Sequence, residues 1–124
     1  MGTLLVVDDE DQIRSVLREY FEGLGHTVLE AGTGLQALTI LRSGVVVDVM
    51  LLDLRMPIMT GQELVEAMQI EGVLLPVVLM TGFADSEEYD PHQVQGLLKK
   101  PFSLEKITEV VQPWLEDPAS PLGD

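Results

Sequence analysis

The stretch Val47-Asp48-Val49-Met50-Leu51-Leu52-Asp53-Leu54-Arg55-Met56-Pro57-Ile58-Met59-Thr60-Gly61 constrains this chain more than any other. Its first half is an almost wholly apolar run that closes on one carboxylate, Asp53, and its second half is a loop carrying Pro57 and Gly61. A continuous apolar run bounded by turn residues predicts a strand buried on both faces of a parallel sheet. Ligands of such sheets bind outside the carboxyl ends of the strands, so Asp53 stands where chemistry is expected. An isolated strand-end Asp more commonly just faces water. The start of the chain changes that balance.

The same alternation of strand and helix runs from end to end. Leu4-Leu5-Val6-Val7 predicts a first buried strand, ending on the four acids Asp8-Asp9-Glu10-Asp11. Ile13, Val16, Leu17, Tyr20, Phe21 and Leu24 then recur at amphipathic helical spacing, with Gly23 and Gly25 at the helix end. Thr27 to Glu30 predicts a second strand, and Leu35, Ala37, Leu38 and Leu41 a second helix closed by Gly44. After the central strand, Leu64, Val65 and Met68 mark a third helix ended by Gly72. Pro76 to Met80 predicts a fourth strand ending on Thr81-Gly82, and Leu97-Leu98 a minimal fifth ending on Lys99-Lys100-Pro101. Between them, the polar stretch from Asp85 to Gln95 contains Pro91, which predicts a short or broken helix. Ser103 is the expected N-cap of a last helix that carries Leu104, Ile107, Val111, Trp114 and Leu115 on one face. Strands alternating with helices through right-handed crossovers make a parallel sheet covered on both faces. Residues 1–116 are expected to form one domain, and the Pro-containing stretch 117–124 a linker or flexible tail.

Composition removes several function classes. With no cysteine, the chain has no disulfide, thiol nucleophile or cysteine-based zinc site, which fits a cytoplasmic location. No apolar run approaches the roughly 18–20 residues of a membrane span, and no signal-peptide pattern is present. Twenty-one acidic residues against 7 basic ones give a formal charge of −14, which disfavours nucleic acid as a partner and suits a cation or a basic protein face.

The strand ends share a chemistry. They carry Asp8 and Asp9, Asp53, Thr81 and Lys100, which a doubly wound sheet gathers at its switch point. Carboxylates about 4 Å apart repel by on the order of 4 kcal/mol per pair at an effective dielectric near 20, so the cluster calls for a cation. An all-oxygen donor set suits Mg2+, which keeps several waters and takes a phosphoryl oxygen. A strand-end carboxylate can act as nucleophile and form an aspartyl phosphate, with Lys100 and Thr81 positioned to bind its oxygens.

On these motifs, together with Lys100-Pro101-Phe102, the chain to about Glu116 resembles a receiver domain of bacterial two-component response regulators. That resemblance implies a flavodoxin-like α/β fold, a doubly wound five-stranded parallel sheet in the order 2-1-3-4-5. It implies Asp53 as phospho-acceptor, Thr81 as switch hydroxyl, Lys100 as phosphate-sensing lysine, and Mg2+ held by Asp8, Asp9, Asp53 and the Arg55 carbonyl. It also implies a cis Lys100-Pro101 bond and influence of Arg55 and Phe83 on hydrolysis of the acyl phosphate. The implied partner is a sensor histidine kinase or phosphotransfer protein, with a phosphorylation-dependent homodimer as one form of output. The chain would stand alone or belong to a hybrid histidine kinase. Two departures stand out: Leu97 occupies a position usually aromatic, for which Phe83 or Tyr89 would have to substitute, and the segment between Thr81 and Lys100 is short. They keep open an alternative, a degenerate receiver that only binds proteins.

Other readings are weaker. Gly32-Thr33-Gly34-Leu35-Gln36-Ala37 matches G-x-G-x-x-A, but after the second strand, where a Gly-containing turn into a helix is the simpler account. Arg55 breaks the D-x-D pattern of haloacid-type phosphatases. His26 and His92, each beside a turn residue, read as solvated loop histidines, and the methionines as core filler.

Overall fold

The computed structural model describes residues 2–82, 89–101 and 103–116. Five strands, β1 (Thr3–Val7), β2 (Thr27–Ala31), β3 (Val49–Asp53), β4 (Val77–Thr81) and β5 (Gly96–Lys99), form one parallel sheet in the order β2-β1-β3-β4-β5. Four helices, α1 (Asp11–Gly23), α2 (Gly34–Arg42), α3 (Gly61–Ile70) and α4 (Leu104–Glu116), cover it. The strand and helix pattern calls for a parallel sheet covered on both faces, and the order is that of the doubly wound flavodoxin-like fold implied by the receiver resemblance.

Period-two alternation in the strands divides the core into two layers. Leu4, Val6, Val49, Leu51, Val78 and Met80 pack with Leu17 and Phe21 of α1 and Ile107, Val111 and Leu115 of α4. Leu5, Val7, Met50, Leu52, Val77 and Leu79 pack with Ala37 and Leu38 of α2 and Leu64, Val65 and Met68 of α3. Both faces of β3 are therefore dry, which is why its sequence is apolar without alternation. The one acid within that run, Asp48, precedes the strand, and its carboxylate accepts from the Thr3 N–H at 2.7 Å.

Four expectations need correction. Val16 and Leu24 lie at the helical spacing of α1 but are exposed, as is Leu35 on α2; the buried stripe of α1 is centred on Leu17 and Phe21. His26 is not a solvated loop residue. It is 7% exposed, and its Nδ1 accepts from the Gly2 N–H at 3.2 Å, joining the entry of β1 to that of β2. His92 is exposed, as expected.

The described part of the polar segment holds a single 3-10 turn, Pro91–Gln93, with Asp90 accepting from the His92 N–H. Glutamines fasten it to α3. Gln62 donates to Gln93 at 2.8 Å, Gln93 donates to Gln69 at 2.8 Å, and Gln62 accepts from the Asp90 N–H at 2.9 Å. The Ser103 hydroxyl accepts from the Lys106 N–H at 3.1 Å, as an N-cap of α4 should.

Candidate functional site

Asp8 follows β1 directly, Asp53 and Thr81 end β3 and β4, and Lys100 follows β5. Parallel pairing brings Asp53 beside Met80 and Thr81 beside Lys99, so all four arrive at one edge of the sheet. Ligand oxygens of Asp8, Asp9 and Asp53 lie within 4.8 Å of one another. Lys100 Nζ stands 3.7 Å from Asp8 Oδ2, 3.7 Å from Glu10 and 3.9 Å from Asp53 Oδ2. Asp8, Asp53 and Thr81 are buried, while Asp9 is exposed at the rim. The Lys100-Pro101 peptide is cis.

Local structure aims these groups. Asp8 Oδ1 accepts from the Glu10 N–H at 2.8 Å and Asp53 Oδ1 from the Arg55 N–H at 3.2 Å. Each carboxylate is thus anchored by one oxygen, and Asp8 Oδ2 is buried without a hydrogen-bond partner. Beyond Asp53, Thr60 closes a capping box with Glu63 that starts α3, and Gly61 N–H donates to the Leu54 carbonyl at 2.9 Å.

Electrostatics follow from this crowding. Burial, and after it the Asp8 charge, push the Asp53 carboxyl up to about 6, against the opposing pull of Lys100 and the Arg55 N–H. Burial likewise holds Asp8 above the ordinary carboxylate range. One lysine does not balance three acids, so the set fits a small hard cation: oxygen donors only, converging, with an unspent buried oxygen on Asp8.

Of the residues singled out in the sequence, the structure brings Asp8, Asp9, Asp53 and Lys100 together, with Thr81 at the end of the strand beside Asp53 and Arg55 two residues beyond it. Leu97 and Tyr89 are half-buried against the same α2/α3 core layer; Phe83 lies outside the described residues. In the G-x-G-x-x-A segment, the Gln36 N–H donates to the Thr33 hydroxyl and the Gly32 N–H to Gln36, making it a helix start. Two groups near the crevice had no site role in the sequence reading: Glu10, one of the four acids after β1, which faces Lys100, and Arg14 of α1, whose Nη1 donates to the Asp8 carbonyl at 2.5 Å. A single Arg on a helix carries no sequence signal for such a contact.

The acid-lined crevice and its lysine thus lie at the carboxyl edge of a doubly wound parallel sheet. The family model described as "Response regulator receiver domain" matches residues 4–112, and the chain belongs to that family. It is 32% identical over 115 residues to sporulation initiation phosphotransferase F of Bacillus subtilis, spanning 90% of this chain and 92% of that protein. It is 33% identical over 112 residues to the response regulator SaeR of Staphylococcus aureus, of which it spans only 47%. Among solved structures, chemotaxis protein CheY4 of Vibrio cholerae superposes with a TM-score of 0.82 at 29% identity, covering 93% of this chain and 99% of that one. The response regulator TrrA of Thermotoga maritima, solved in complex with Mg(2+)-BeF, superposes at 0.81 with 27% identity, covering 93% and 100%. Among the described residues, no helix is long and apolar enough to cross a membrane.

Proposed function

We propose that this receiver takes a phosphoryl group onto Asp53 from a phosphohistidine on a sensor histidine kinase or phosphotransfer protein. The observation that carries the reading is the convergence of Asp8, Asp9 and Asp53 within 4.8 Å beside Lys100. An Asp53 carboxylate oxygen attacks phosphorus as the P–N bond of the donor breaks, and the leaving imidazole keeps the electron pair and takes up a proton. Lys100 Nζ balances charge on the phosphoryl oxygens, and the Thr81 hydroxyl donates to one of them once transfer is complete. Asp8, Asp9, Asp53 and the Arg55 carbonyl would hold Mg2+, which supplies positive charge against the transferring group. The reading places the chain in the cytoplasm, as a stand-alone regulator or as the receiver portion of a longer protein such as a hybrid histidine kinase. Residues 117–124 would then serve as its linker or tail.

The intact acid set favours this function over a receiver that only binds proteins. Incubation with acetyl phosphate, followed by intact-mass spectrometry with and without Mg2+, tests it. A single Mg2+-dependent phosphoryl adduct is the expected result; no adduct in either condition overturns the reading.

A further inference from the structure

Three bonds fix the loop that carries the acidic pair. The Asp8 N–H donates to the Ala31 carbonyl at 3.1 Å, Asp8 Oδ1 accepts from the Glu10 N–H, and the Asp8 carbonyl accepts from Arg14 Nη1 at 2.5 Å. The N-cap of α1, Glu10, makes no side-chain capping bond, so the helix start that follows the acids is not held in the usual way. Arg14 ties it down instead. Its Nη2 pairs with Asp11 on the same helix, its Nε donates to Glu30 of β2 at 3.3 Å, and its side chain is only 15% exposed.

We propose that Arg14 is a positioning residue of the acid crevice, holding the Asp8 carbonyl so that Asp8 Oδ2 is the one oxygen of that residue left for a divalent cation. Among the described residues, Asp8 Oδ1 and its carbonyl each have a donor, whereas Oδ2 has no hydrogen bond. A planar guanidinium spans three acceptors on β2, α1 and the loop at once, which an ammonium cannot do. Its charge is met by Glu30 and Asp11, so it constrains the loop while adding little net positive charge to the crevice.

Charge and position predict opposite signs. If Arg14 acted only as a nearby cation, its removal would tighten binding of Mg2+. If it positions the loop, removal weakens binding by about tenfold, the usual scale for groups that orient metal ligands. The proposal rests on the divalent-cation reading of the crevice, and the experiment separates the two. MgCl2 is titrated calorimetrically into the parent chain, Arg14→Ala, Arg14→Lys and Arg18→Ala, each at a temperature where it is fully folded. Arg18→Ala removes a second cation of α1, whose hydrogen bonds go to Glu22 and Glu30, and serves as the control for charge alone.

The expected result is weaker Mg2+ binding in both Arg14 variants and a change within about twofold in Arg18→Ala. Acetyl phosphate kinetics should show a raised requirement for Mg2+ in the Arg14 variants, with the rate recovered at saturating Mg2+. Should Arg14→Ala fail to fold, Arg14→Lys alone decides, because it keeps the charge and loses the fork. Unchanged or tighter Mg2+ binding in the Arg14 variants overturns the positioning role. Absence of Mg2+ binding by the parent overturns the cation reading itself.

Discussion

Gly61 is pressed against Asp53: a Cβ built on it would lie 2.7 Å from the Asp53 carbonyl oxygen and 2.9 Å from Leu54 Cα. Both obstacles are backbone and cannot rotate aside. Any side chain at position 61 therefore has to move the strand end that carries Asp53. Gly61→Ala is expected to destabilise the chain by about 2 kcal/mol, as overpacking does, and to slow phosphorylation by acetyl phosphate. Urea unfolding and adduct formation followed in parallel check it; a variant with parental stability and rate would show that the contact is easily relieved.

Ile58 has φ 73°, the only positive value among the described non-glycine residues, and the Met59 N–H donates to the Pro57 carbonyl at 2.8 Å across it. That is a γ-turn of the strained hand with a β-branched residue at its centre. The side chain is 84% exposed, so it gains almost nothing by burial. Ile58→Gly should raise stability by about 1 kcal/mol. A loss of stability on urea unfolding would mean the side chain makes contacts worth more than the strain.

The raised Asp53 carboxyl makes stability depend on pH. Between about pH 4 and about 6 the folded chain holds a proton on Asp53 that the unfolded chain has released. Native binds more protons than unfolded, so stability falls as pH rises through that window. The lost contribution is on the order of 2–3 kcal/mol. In metal-free buffer, Asp53→Asn should therefore gain on the parent chain between pH 4 and 6.5. Urea unfolding at several pH values measures the difference, and a constant offset between the two chains would contradict it.

His26 offers a test remote from the crevice. Its Nδ1 is the acceptor for the Gly2 N–H in a buried setting. His26→Leu keeps the volume and leaves that N–H unpaired, at an expected cost of about 2 kcal/mol. A thermal midpoint equal to that of the parent would show that the N–H finds another partner.

The sheet was legible because its central strands are buried on both faces, and the crevice because four strands end on groups of matched chemistry. What escaped depends on three-dimensional neighbours. His26 sits beside Gly25 like any loop residue, yet the entry of β1 folds over it. Val16 and Leu24 keep the helical period of α1 but fall outside the arc that the sheet covers. In the segment before β5, glutamines dock on α3 by hydrogen bonds, which no hydrophobic periodicity reveals. Arg14 reads as an ordinary surface residue until the Asp8 carbonyl is placed under it.

The central claim is that Asp53 itself becomes the acyl phosphate. Borohydride reduces an aspartyl phosphate to homoserine, so the most direct measurement is to phosphorylate the chain with acetyl phosphate and Mg2+, reduce it, and sequence the peptides by tandem mass spectrometry. Homoserine at position 53, absent from Asp53→Asn, is the predicted result. Homoserine at Asp8 or Asp9 with position 53 unmodified, or none at any position despite a phosphoryl adduct, would contradict the account.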